Sequence, residues 1–441
     1  MGTECVSVTG AVLELSTVTD QLRCVTEGKS VSKGHPLRAK RRPKFEEGAD
    51  ALRVVDLFAG CGGLTLGVAQ AANKHGIALE VALAVDFGEA PTWVFKANFP
   101  TANVRHGSVE DYFDGALGAN ITRIEHKTNV EVGRVDLLIG GPPCQGHSNL
   151  NNHTRRDDPK NHLYLRMARA AEVLQPRAIL IENVPAVVYD KQDVVSNAIE
   201  HLKGAGYVVA TDQIDLLKLG VAQTRKRHIL LAIRGDVAPR CDSVDALLQL
   251  QSHNGRPRDL RWAIGDLVSV EPNTTFDAAP KFSAENIRRM NWLIENDEYD
   301  LPNELRPKCH QGQHTYHSMY GRLRWDQPSQ TITSGFVTMG RGRFVHPELP
   351  RTLTQHEAAR IQGFPDYFTF EKKMKRELFR NEAQLIIGNA VPPQLTFALT
   401  AKLFNVGVLD ATRQEDADEV SEILVPEPAA DVAEPLAEAV A

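Results

Sequence analysis

A cysteine in a stiff turn is the strongest chemical signal in the sequence. Cys144 lies within GGPPCQGHS, which spans 140–148 and follows the apolar run at 135–139. Two glycines and two prolines predict a sharply turned backbone at the carboxyl end of a strand, and such a turn presents the thiol to a cleft. A lone cysteine is more often a small core residue. The turn nevertheless favours a covalent nucleophile.

A carboxyl group ends the next apolar run. Glu182 is the last residue of RAILIE at 177–182, and its neighbours in the predicted strand are apolar. A carboxyl in such surroundings suits a group that donates a proton or a hydrogen bond to a substrate. The alternative is a structural glutamate in a salt bridge, and we favour this alternative when Glu182 is considered in isolation.

Two arginines lie two residues apart before another strand. QTRKR at 223–227 leads into the apolar run HILLAI at 228–233. Side chains alternate along a strand, so Gln223, Arg225 and Arg227 are predicted to share one face. Two arginines and a glutamine on one face suit a phosphate, a carboxylate or a base edge. The plainer alternative is an exposed, charged strand start.

A glycine-rich turn predicts a ligand site near the start of the pattern. VVDLFAGCGGLTLG at 54–67 reads as a strand, a turn and a helix, and its glycines let a ligand approach the backbone closely. The order differs from the G-x-G-x-x-G of a dinucleotide turn, which disfavours a nucleotide-dependent oxidoreductase. Asp86 ends the second strand, where a carboxylate can bind ribose hydroxyls, and Phe87 offers a flat face to an adenine. A helix cap is the alternative for Asp86.

All of these residues follow predicted strands. Strands are predicted at 54–58, 80–85, 135–140, 177–182 and 228–233. Helices are predicted at 63–75, 89–98, 161–175 and 191–204, and a final helical stretch at about 381–404. Strands and helices in alternation indicate an α/β fold with a doubly wound parallel sheet. Ligands of such sheets bind beyond the carboxyl ends of the strands.

Length and composition indicate two structured domains with loose ends. The 441 residues exceed what one core usually serves, and a content of 42% hydrophobic and 24% charged residues is ordinary for a globular protein. No apolar run is long enough for a membrane span and no secretory signal begins the chain, so we expect a cytoplasmic protein. The six cysteines lack paired or metal-like spacing, which predicts reduced thiols and no metal site.

Charge is unevenly distributed along the chain. The net charge is −6, but the segment from Asp410 onward has ten acidic residues and one basic residue, so the rest of the chain carries +3. A mildly basic body can bind a phosphate backbone if its charges gather on one face. The segment at 33–44 has six basic side chains, and we favour a mobile, solvated linker over an arm that contacts DNA. The acidic tail is predicted to be disordered.

Six motifs in one order make the sequence similar to a known family. They are DLFAGCGG (56–63), GGPPCQG (140–146), ENV (182–184), QTRKR (223–227), RIQGFP (360–365) and IGNAVPP (387–393). Together they resemble the bacterial DNA (cytosine-5-)-methyltransferase family, from about 54 to about 403. The most specific signature is the pair Pro143 and Cys144. The resemblance implies a Rossmann-like fold that depends on S-adenosylmethionine, with a smaller, irregular target-recognition domain.

The resemblance also implies a reaction and the residues that carry it. A DNA cytosine-5 methyltransferase transfers a methyl group from S-adenosylmethionine to carbon 5 of a flipped-out cytosine in duplex DNA. Cys144, preceded by Pro143, is implied as the covalent nucleophile and Glu182 as the group that engages the ring nitrogen. Arg225 and Arg227 are implied to hold the base and support the glutamate. A methyltransferase acting on transfer RNA, or a catalytically idle DNA-binding protein on this fold, is the alternative.

The same resemblance assigns cofactor and DNA contacts. The S-adenosylmethionine pocket is implied to include Phe58, Gly60, Cys61, Gly62, Asp86, Phe87, Ser108, Asn389 and Val391. DNA contacts are expected from Gln145, Ser148, Arg155, Arg156, Gln223, Arg341 and Arg343. Three positions depart from the family pattern. Ser108 replaces an acidic residue that usually contacts adenine, and Asp86 is shorter than the glutamate that many relatives offer to ribose. His147 stands where phenylalanine is usual, and because the ring shape is kept we expect no loss of activity.

The expected organisation has five parts. They are a flexible basic arm (1–50), the catalytic and cofactor-binding domain (51–240), the target-recognition domain (241–375), a returning C-terminal helix (376–408) and an acidic disordered tail (409–441). The expected partner is double-stranded DNA, and a cognate restriction endonuclease is a further candidate, as in a restriction-modification system. We expect a monomer that associates with the nucleoid and not with a membrane.

Overall fold

The apolar runs of the sequence form the strands of a central sheet. The structure is a computed structural model that describes residues 35–45, 50–143, 162–238, 244–250, 257–312, 318–370 and 378–410. The strands are β1 Leu52–Leu57, β2 Leu79–Asp86, β3 Val104–His106, β4 Leu137–Gly140, β5 Ala178–Asn183, β6 Tyr207–Asp215, β7 Gln223–Thr224, β8 Lys226–Arg234 and β9 Ser329–Gln330.

Seven of these strands pair in the order β3-β2-β1-β4-β5-β8-β6. Neighbours from β3 to β5 are parallel, whereas β8 lies antiparallel to both β5 and β6. β7 and β9 form a separate two-stranded parallel sheet. The mostly parallel sheet that the sequence predicts is thus confirmed. Parallel pairing requires long crossovers between strands, and helices supply them.

Helices connect the strands and form much of the later part of the chain. They are α1 Gly63–Lys74, α2 Glu89–Asn98, α3 Arg123–Val132, α4 Leu163–Leu174, α5 Val194–Gly204, α6 Val244–Leu248, α7 Leu260–Ile264, α8 Ala284–Glu295, α9 Gln355–Ile361, α10 Arg380–Asn389 and α11 Gln394–Asn405. Within the described residues, none of these helices has the length and apolar character needed to cross a membrane.

The central sheet is covered on both faces. Val54 belongs to the apolar cluster that contains Leu395 of α11, whereas the next residue, Val55, belongs to the cluster that contains Ala171 of α4. Consecutive side chains of a strand point to opposite faces, so these two clusters lie on the two sides of the sheet. Burial on both sides is why the strands are continuous apolar runs.

A third apolar cluster joins the sheet edge to residues after 257. It contains Phe95 of α2, Leu260 of α7, Phe364 and Ile387 of α10. All described helices and strands belong to one compact unit, Met1–Leu409. The division near residue 240 into a catalytic domain and a target-recognition domain stays a prediction.

Several elements of the secondary structure were not predicted, among them β6, α3 and α8. β6 is the last strand of the sheet, and its consecutive exposed polar residues Thr211, Asp212 and Gln213 interrupt the apolar signal. α3 and α8 bury only three residues each and consist largely of polar residues, so few apolar side chains mark them. The helical stretch predicted at 381–404 is two helices, α10 and α11, because Pro392 and Pro393 interrupt the helical hydrogen bonds.

Part of the predicted mobile arm packs on the protein. Pro36–Arg38 form a short 3-10 helix in which Leu37 is buried. The Leu37 carbonyl accepts a hydrogen bond from the Asp366 amide, and Arg38 forms an ion pair with Asp266 at 3.2 Å. The prediction of a mobile arm is therefore wrong for residues 35–45, because an apolar anchor lies among the basic side chains.

Close packing of α1 against α11 makes Gly67 a test of the core. A Cβ built on Gly67 would lie 2.0 Å from the Pro393 carbonyl oxygen and 2.1 Å from Thr396 Oγ1, whereas one on Gly204 would meet no described atom within 4 Å. We expect Gly67→Ala to lower the free energy of unfolding by about 1–3 kcal/mol, since the helices must separate. Gly204→Ala should leave it unchanged or raise it. Urea unfolding midpoints measure both, and equal midpoints would contradict the packing.

Candidate active site

The strand register brings four strand ends into one row. Leu57 of β1 pairs with Val85 of β2 and with Gly140 of β4, and Gly140 pairs with Ile181 of β5. The residues that come directly after this row are Phe58, Asp86, Gly141 and Glu182. The sheet therefore places the glycine-rich turn, the predicted ribose ligand, the turn before Cys144 and the predicted catalytic glutamate along one edge.

The turn after β1 leaves main chain open to a ligand. Phe58, Gly60 and Gly62 have positive φ angles of 58°, 54° and 89°. A Cβ built on Gly60 would meet no described atom within 4 Å, so the backbone there faces open space. A Cβ on Gly62 would lie 3.0 Å from the Phe95 ring, so this glycine is needed for close packing on α2. The turn is thus a cradle that a ligand can enter at Gly60.

The end of β2 offers a carboxylate and an aromatic face. Asp86 accepts hydrogen bonds from the Gly60 amide at 2.8 Å and from the Gly88 amide at 2.7 Å. Gly88 occupies the N-cap of α2, so the alternative that Asp86 caps this helix is wrong. Both carboxylate oxygens retain a lone pair for a hydroxyl donor. Phe87 is 82% exposed and leaves a flat apolar surface beside it.

A second carboxyl group lies under the glycine-rich turn. Asp56 is fully buried in β1, and its Oδ2 accepts a hydrogen bond from Thr65 Oγ1 at 2.6 Å. Its Oδ1 has no hydrogen-bond partner among the described residues. Burial raises the pKa of Asp56 to about 7; the Thr65 hydrogen bond lowers it, and the charge of Asp86 raises it further. Asp56 lies in the strand predicted at 54–58, and the sequence pattern gives it no role because hydrogen-bond partners cannot be read from a pattern.

Two predicted cofactor residues have structural roles. The side chain of Cys61 is buried in an apolar cluster, and burial raises the pKa of its thiol to about 12. Only its main chain is available to a ligand. Ser108 caps the 3-10 helix Val109–Asp111, because its hydroxyl accepts from the Glu110 amide and its own amide donates to Asp111. Because the Cys61 side chain is buried, a cofactor contact at Cys61 would use its main chain, and the contact predicted at Ser108 stays a prediction.

The turn before the predicted nucleophile is held from β5. Cys144 lies outside the described residues, as do four predicted DNA contacts, Gln145, Ser148, Arg155 and Arg156. Pro143, directly before Cys144, is half-buried. The Pro142 carbonyl accepts a hydrogen bond from Asn183 Nδ2 at 3.2 Å. Asn183 therefore connects this turn to the strand end that carries Glu182.

Glu182 is held by an arginine on the neighbouring strand. Its carboxylate Oε1 lies 2.5 Å from Arg227 Nε, and both side chains are nearly buried. β5 and β8 are antiparallel neighbours, with Glu182 opposite Ile229, which places Arg227 within reach. The pair confirms an ion-paired glutamate. It also fixes the orientation of a carboxylate at the edge of the sheet, which is what a group that binds a substrate requires.

Gln223 and Arg225 have partners in other segments of the chain. The amide of Gln223 is fully buried and bonds to the main chain of Ile332 and Ile361 and to the side chain of Gln362. The Arg225 guanidinium donates to the carbonyls of Ile332 and Ala390, both at 3.1 Å. The expectation that Gln223 contacts DNA is therefore wrong, because both ends of its amide are used inside the protein.

The chain returns to the glycine-rich turn between α10 and α11. A Cβ built on Gly63 would lie only 2.5 Å from the Val391 carbonyl oxygen. Asn389 is exposed and Val391 is half-buried beside it. Of the two predicted cofactor residues of this segment, Val391 thus lies against the start of α1, directly after the turn that follows β1.

The two remaining arginines differ in their surroundings. Arg343 donates to the Tyr299 carbonyl at 2.7 Å and to Asp300 at 2.6 Å, so its guanidinium serves the local structure. Arg341 is exposed at the end of a 3-10 helix. Of the two, only Arg341 remains an open candidate for DNA contact.

Comparison with known proteins identifies a family and relatives of this chain. The model of the C-5 cytosine-specific DNA methylase family matches residues 52–405. The chain is 43% identical over 364 residues to the Type II methyltransferase M1.BsuMI of Bacillus subtilis, covering 82% of this chain and 83% of the relative. It is 29% identical to the Type II methylase M.HgiDII of Herpetosiphon aurantiacus over 82% of this chain and 98% of that protein.

Solved structures share the fold. A DNA modification methyltransferase encoded within an E. coli prophage superposes with a TM-score of 0.54 at 23% identity, covering 81% of this chain and 99% of that one. The Dnmt2 methyltransferase of S. pombe superposes with a TM-score of 0.53 at 16% identity, covering 80% and 98%. The Rossmann-like methyltransferase fold that the sequence predicts is therefore confirmed.

The buried Asp56 carboxyl predicts a pH-dependent stability. An unfolded aspartate has a pKa of about 4, so between about pH 4 and pH 7 only the folded state keeps the proton. The protonated Asp56 therefore contributes its full stabilisation of the folded state below about pH 4, and this stabilisation is lost as the pH rises to about 7. From pH 5 to pH 7.5, the free energy of unfolding should fall by roughly 3 kcal/mol more in the wild type than in Asp56→Asn. Urea unfolding at each pH measures this free energy. If it changed with pH equally in the two proteins, a protonated Asp56 would be refuted.

Proposed function

Because the chain belongs to the C-5 cytosine-specific DNA methylase family, it is a DNA (cytosine-5-)-methyltransferase, and we propose that Cys144, Glu182 and Arg227 carry its reaction. The ion pair of Glu182 with Arg227, at the sheet edge beside the turn that leads to Cys144, is the observation that carries this proposal. It supplies a fixed carboxyl group where the predicted nucleophile requires a partner.

The chemistry explains why a thiol and a carboxyl group are both needed. Carbon 5 of cytosine is too weak a nucleophile to accept a methyl group unaided. The Cys144 thiolate adds to carbon 6, and this bond raises the electron density at carbon 5. After methylation, loss of the carbon 5 proton and expulsion of the thiolate restore the aromatic ring. The base must leave the duplex for these steps, at a cost of a few kcal/mol.

Glu182 stabilises the base while carbon 6 is bonded to sulfur. Electron density also moves to the ring nitrogen, and a proton or hydrogen bond from the carboxyl group at that nitrogen lowers the energy of the adduct. Arg227 holds one oxygen of Glu182, so the carboxyl group cannot rotate away. Of the two arginines in QTRKR, we assign this supporting role to Arg227 alone.

The sheet edge fits S-adenosylmethionine, which supplies an electrophilic methyl group on sulfur. The open main chain at Gly60 admits a ligand, and the Asp86 carboxylate suits ribose hydroxyls. The exposed ring of Phe87 suits an adenine face. Asn389 and Val391 would close the other side. The cofactor would thus be held mostly by main chain, one carboxylate and one aromatic ring.

Duplex DNA is the substrate, and its sequence is proposed to be read by residues 241–375. The relatives from Bacillus and Herpetosiphon are Type II enzymes by name. We therefore propose that a cognate restriction endonuclease acts at the same site. We further propose that the protein works as a monomer and that it acts at the nucleoid. Bisulfite sequencing of DNA from cells that express the protein would identify the methylated context.

We expect Cys144→Ser to abolish methyl transfer to duplex DNA. A hydroxyl group is a far weaker nucleophile than a thiolate, so no bond to carbon 6 should form. Duplexes of varied sequence that contain 5-fluorocytosine should trap the wild type covalently, since fluorine cannot leave carbon 5, and should not trap the variant. Cys309→Ser is the control, because Cys309 is exposed. Substantial transfer by the Cys144 variant would refute the assignment, and transfer RNA as the better acceptor would refute the DNA substrate.

We expect Glu182→Gln to slow the chemistry without weakening DNA binding. Losing an acid catalyst typically costs about 10²-fold or more in kcat, whereas the Kd for DNA should stay within about twofold. Glu125→Gln is a matched control, because Glu125 is also buried and ion-paired, with Arg169 at 2.6 Å, but lies in the helix α3 and not at a strand end. The control should lower stability and leave kcat unchanged. Equal losses of kcat and DNA affinity in Glu182→Gln would make Glu182 a structural residue.

A further inference from the structure

One carbonyl group beside the cofactor cradle receives two buried donors. The Ala390 carbonyl accepts a hydrogen bond from Arg225 Nη2 at 3.1 Å and another from Gln362 Nε2 at 3.3 Å. Gln362 Nε2 also donates to the Ile387 carbonyl at 2.7 Å. Arg225 and Gln362 are both buried. These bonds fix the end of α10 and the first residue after it.

The same side chains are fixed at their other ends. Gln223 Nε2 donates to Gln362 Oε1 at 2.8 Å, and the Ile332 amide donates to Gln223 Oε1 at 3.0 Å. Arg225 Nη1 donates to the Ile332 carbonyl at 3.1 Å. We call Gln223, Arg225 and Gln362 the polar clasp. Gln223 and Gln362 bond to each other, and Arg225 is joined to them through the main chain of Ile332 and Ala390, so the Ala390 carbonyl is bound by a preorganised group.

The residues on either side of Ala390 are those proposed to close the cofactor site. Asn389 comes directly before it and Val391 directly after it. The Val391 carbonyl packs so closely on Gly63 that any Cβ there would lie 2.5 Å away. A shift of this segment by a few tenths of an ångström would therefore either collide with the glycine-rich turn or open the cradle.

We propose that Arg225 and Gln362 are positioning residues for the cofactor, acting through the Ala390 carbonyl to hold Asn389 and Val391 against the glycine-rich turn. This inference rests on the proposed S-adenosylmethionine site. It assigns different roles to the two arginines of the QTRKR motif. Arg227 orients the catalytic carboxyl group of Glu182, whereas Arg225 sets the wall of the cofactor site.

Cofactor affinity in the absence of DNA distinguishes these roles. Isothermal titration with S-adenosylmethionine should show about tenfold weaker binding to Arg225→Met, since two charge-assisted hydrogen bonds are lost while side-chain length is kept. Gln362→Met should weaken binding a few-fold. Arg227→Met should bind S-adenosylmethionine like the wild type, although it turns over slowly. In steady state, Arg225→Met should show a raised KM for S-adenosylmethionine with kcat changed by less than about threefold.

The outcomes separate this inference from the proposed function. If the wild type binds S-adenosylmethionine and Arg225→Met binds it equally well, the positioning role is refuted and the site stands. Equal weakening in Arg225→Met and Arg227→Met would likewise refute it. If the wild type fails to bind S-adenosylmethionine, the proposed cofactor site falls and the inference falls with it. Should Arg225→Met not fold, Gln362→Met tests the same carbonyl, and wild-type affinity in that variant would overturn the proposal.

Discussion

The parallel register of β1, β2, β4 and β5 is the constraint on which the rest of the structure depends. It aligns Leu57, Val85, Gly140 and Ile181 in one row, and each is followed by a residue of the site. A shift of one residue in any strand would exchange the side chains that pack in the two apolar clusters, so close packing on both sides of the sheet fixes the register. Packing of the sheet therefore decides where the site lies, and the strand ends with the turns after them supply its polar residues.

Buried polar side chains complete what the sheet begins. Arg227 holds Glu182, Asn183 holds the turn before Cys144, and Arg225 with Gln362 holds the segment after α10. Each of these contacts joins residues that are distant in the chain. Unpaired buried donors are costly, so each side chain has one arrangement in which its partners are satisfied. The site is thereby preorganised before a ligand arrives.

Much of the fold and part of the site were predictable because they rest on local pattern. Continuous apolar runs predicted the inner strands, and the closely spaced glycines predicted the turn after β1, where Gly60 and Gly62 have positive φ angles. The edge strand β6 was missed because three consecutive exposed polar residues, Thr211, Asp212 and Gln213, interrupt its apolar residues. The packed segment at 35–45 was missed because a single leucine, Leu37, anchors a basic stretch. One apolar residue hardly changes the composition of such a segment, so composition does not reveal the contact.

The sequence alone determined the fold class, the order of the motifs and the residue types available for chemistry, because apolar periodicity and glycine or proline turns are local properties. Only the tertiary structure decided which side chains meet. Gln223, Arg225 and Arg227 lie at alternate positions of one short motif, yet the first two join the polar clasp and only Arg227 reaches Glu182. Their partners come from distant segments whose positions depend on packing of the whole protein, and no local pattern contains that information.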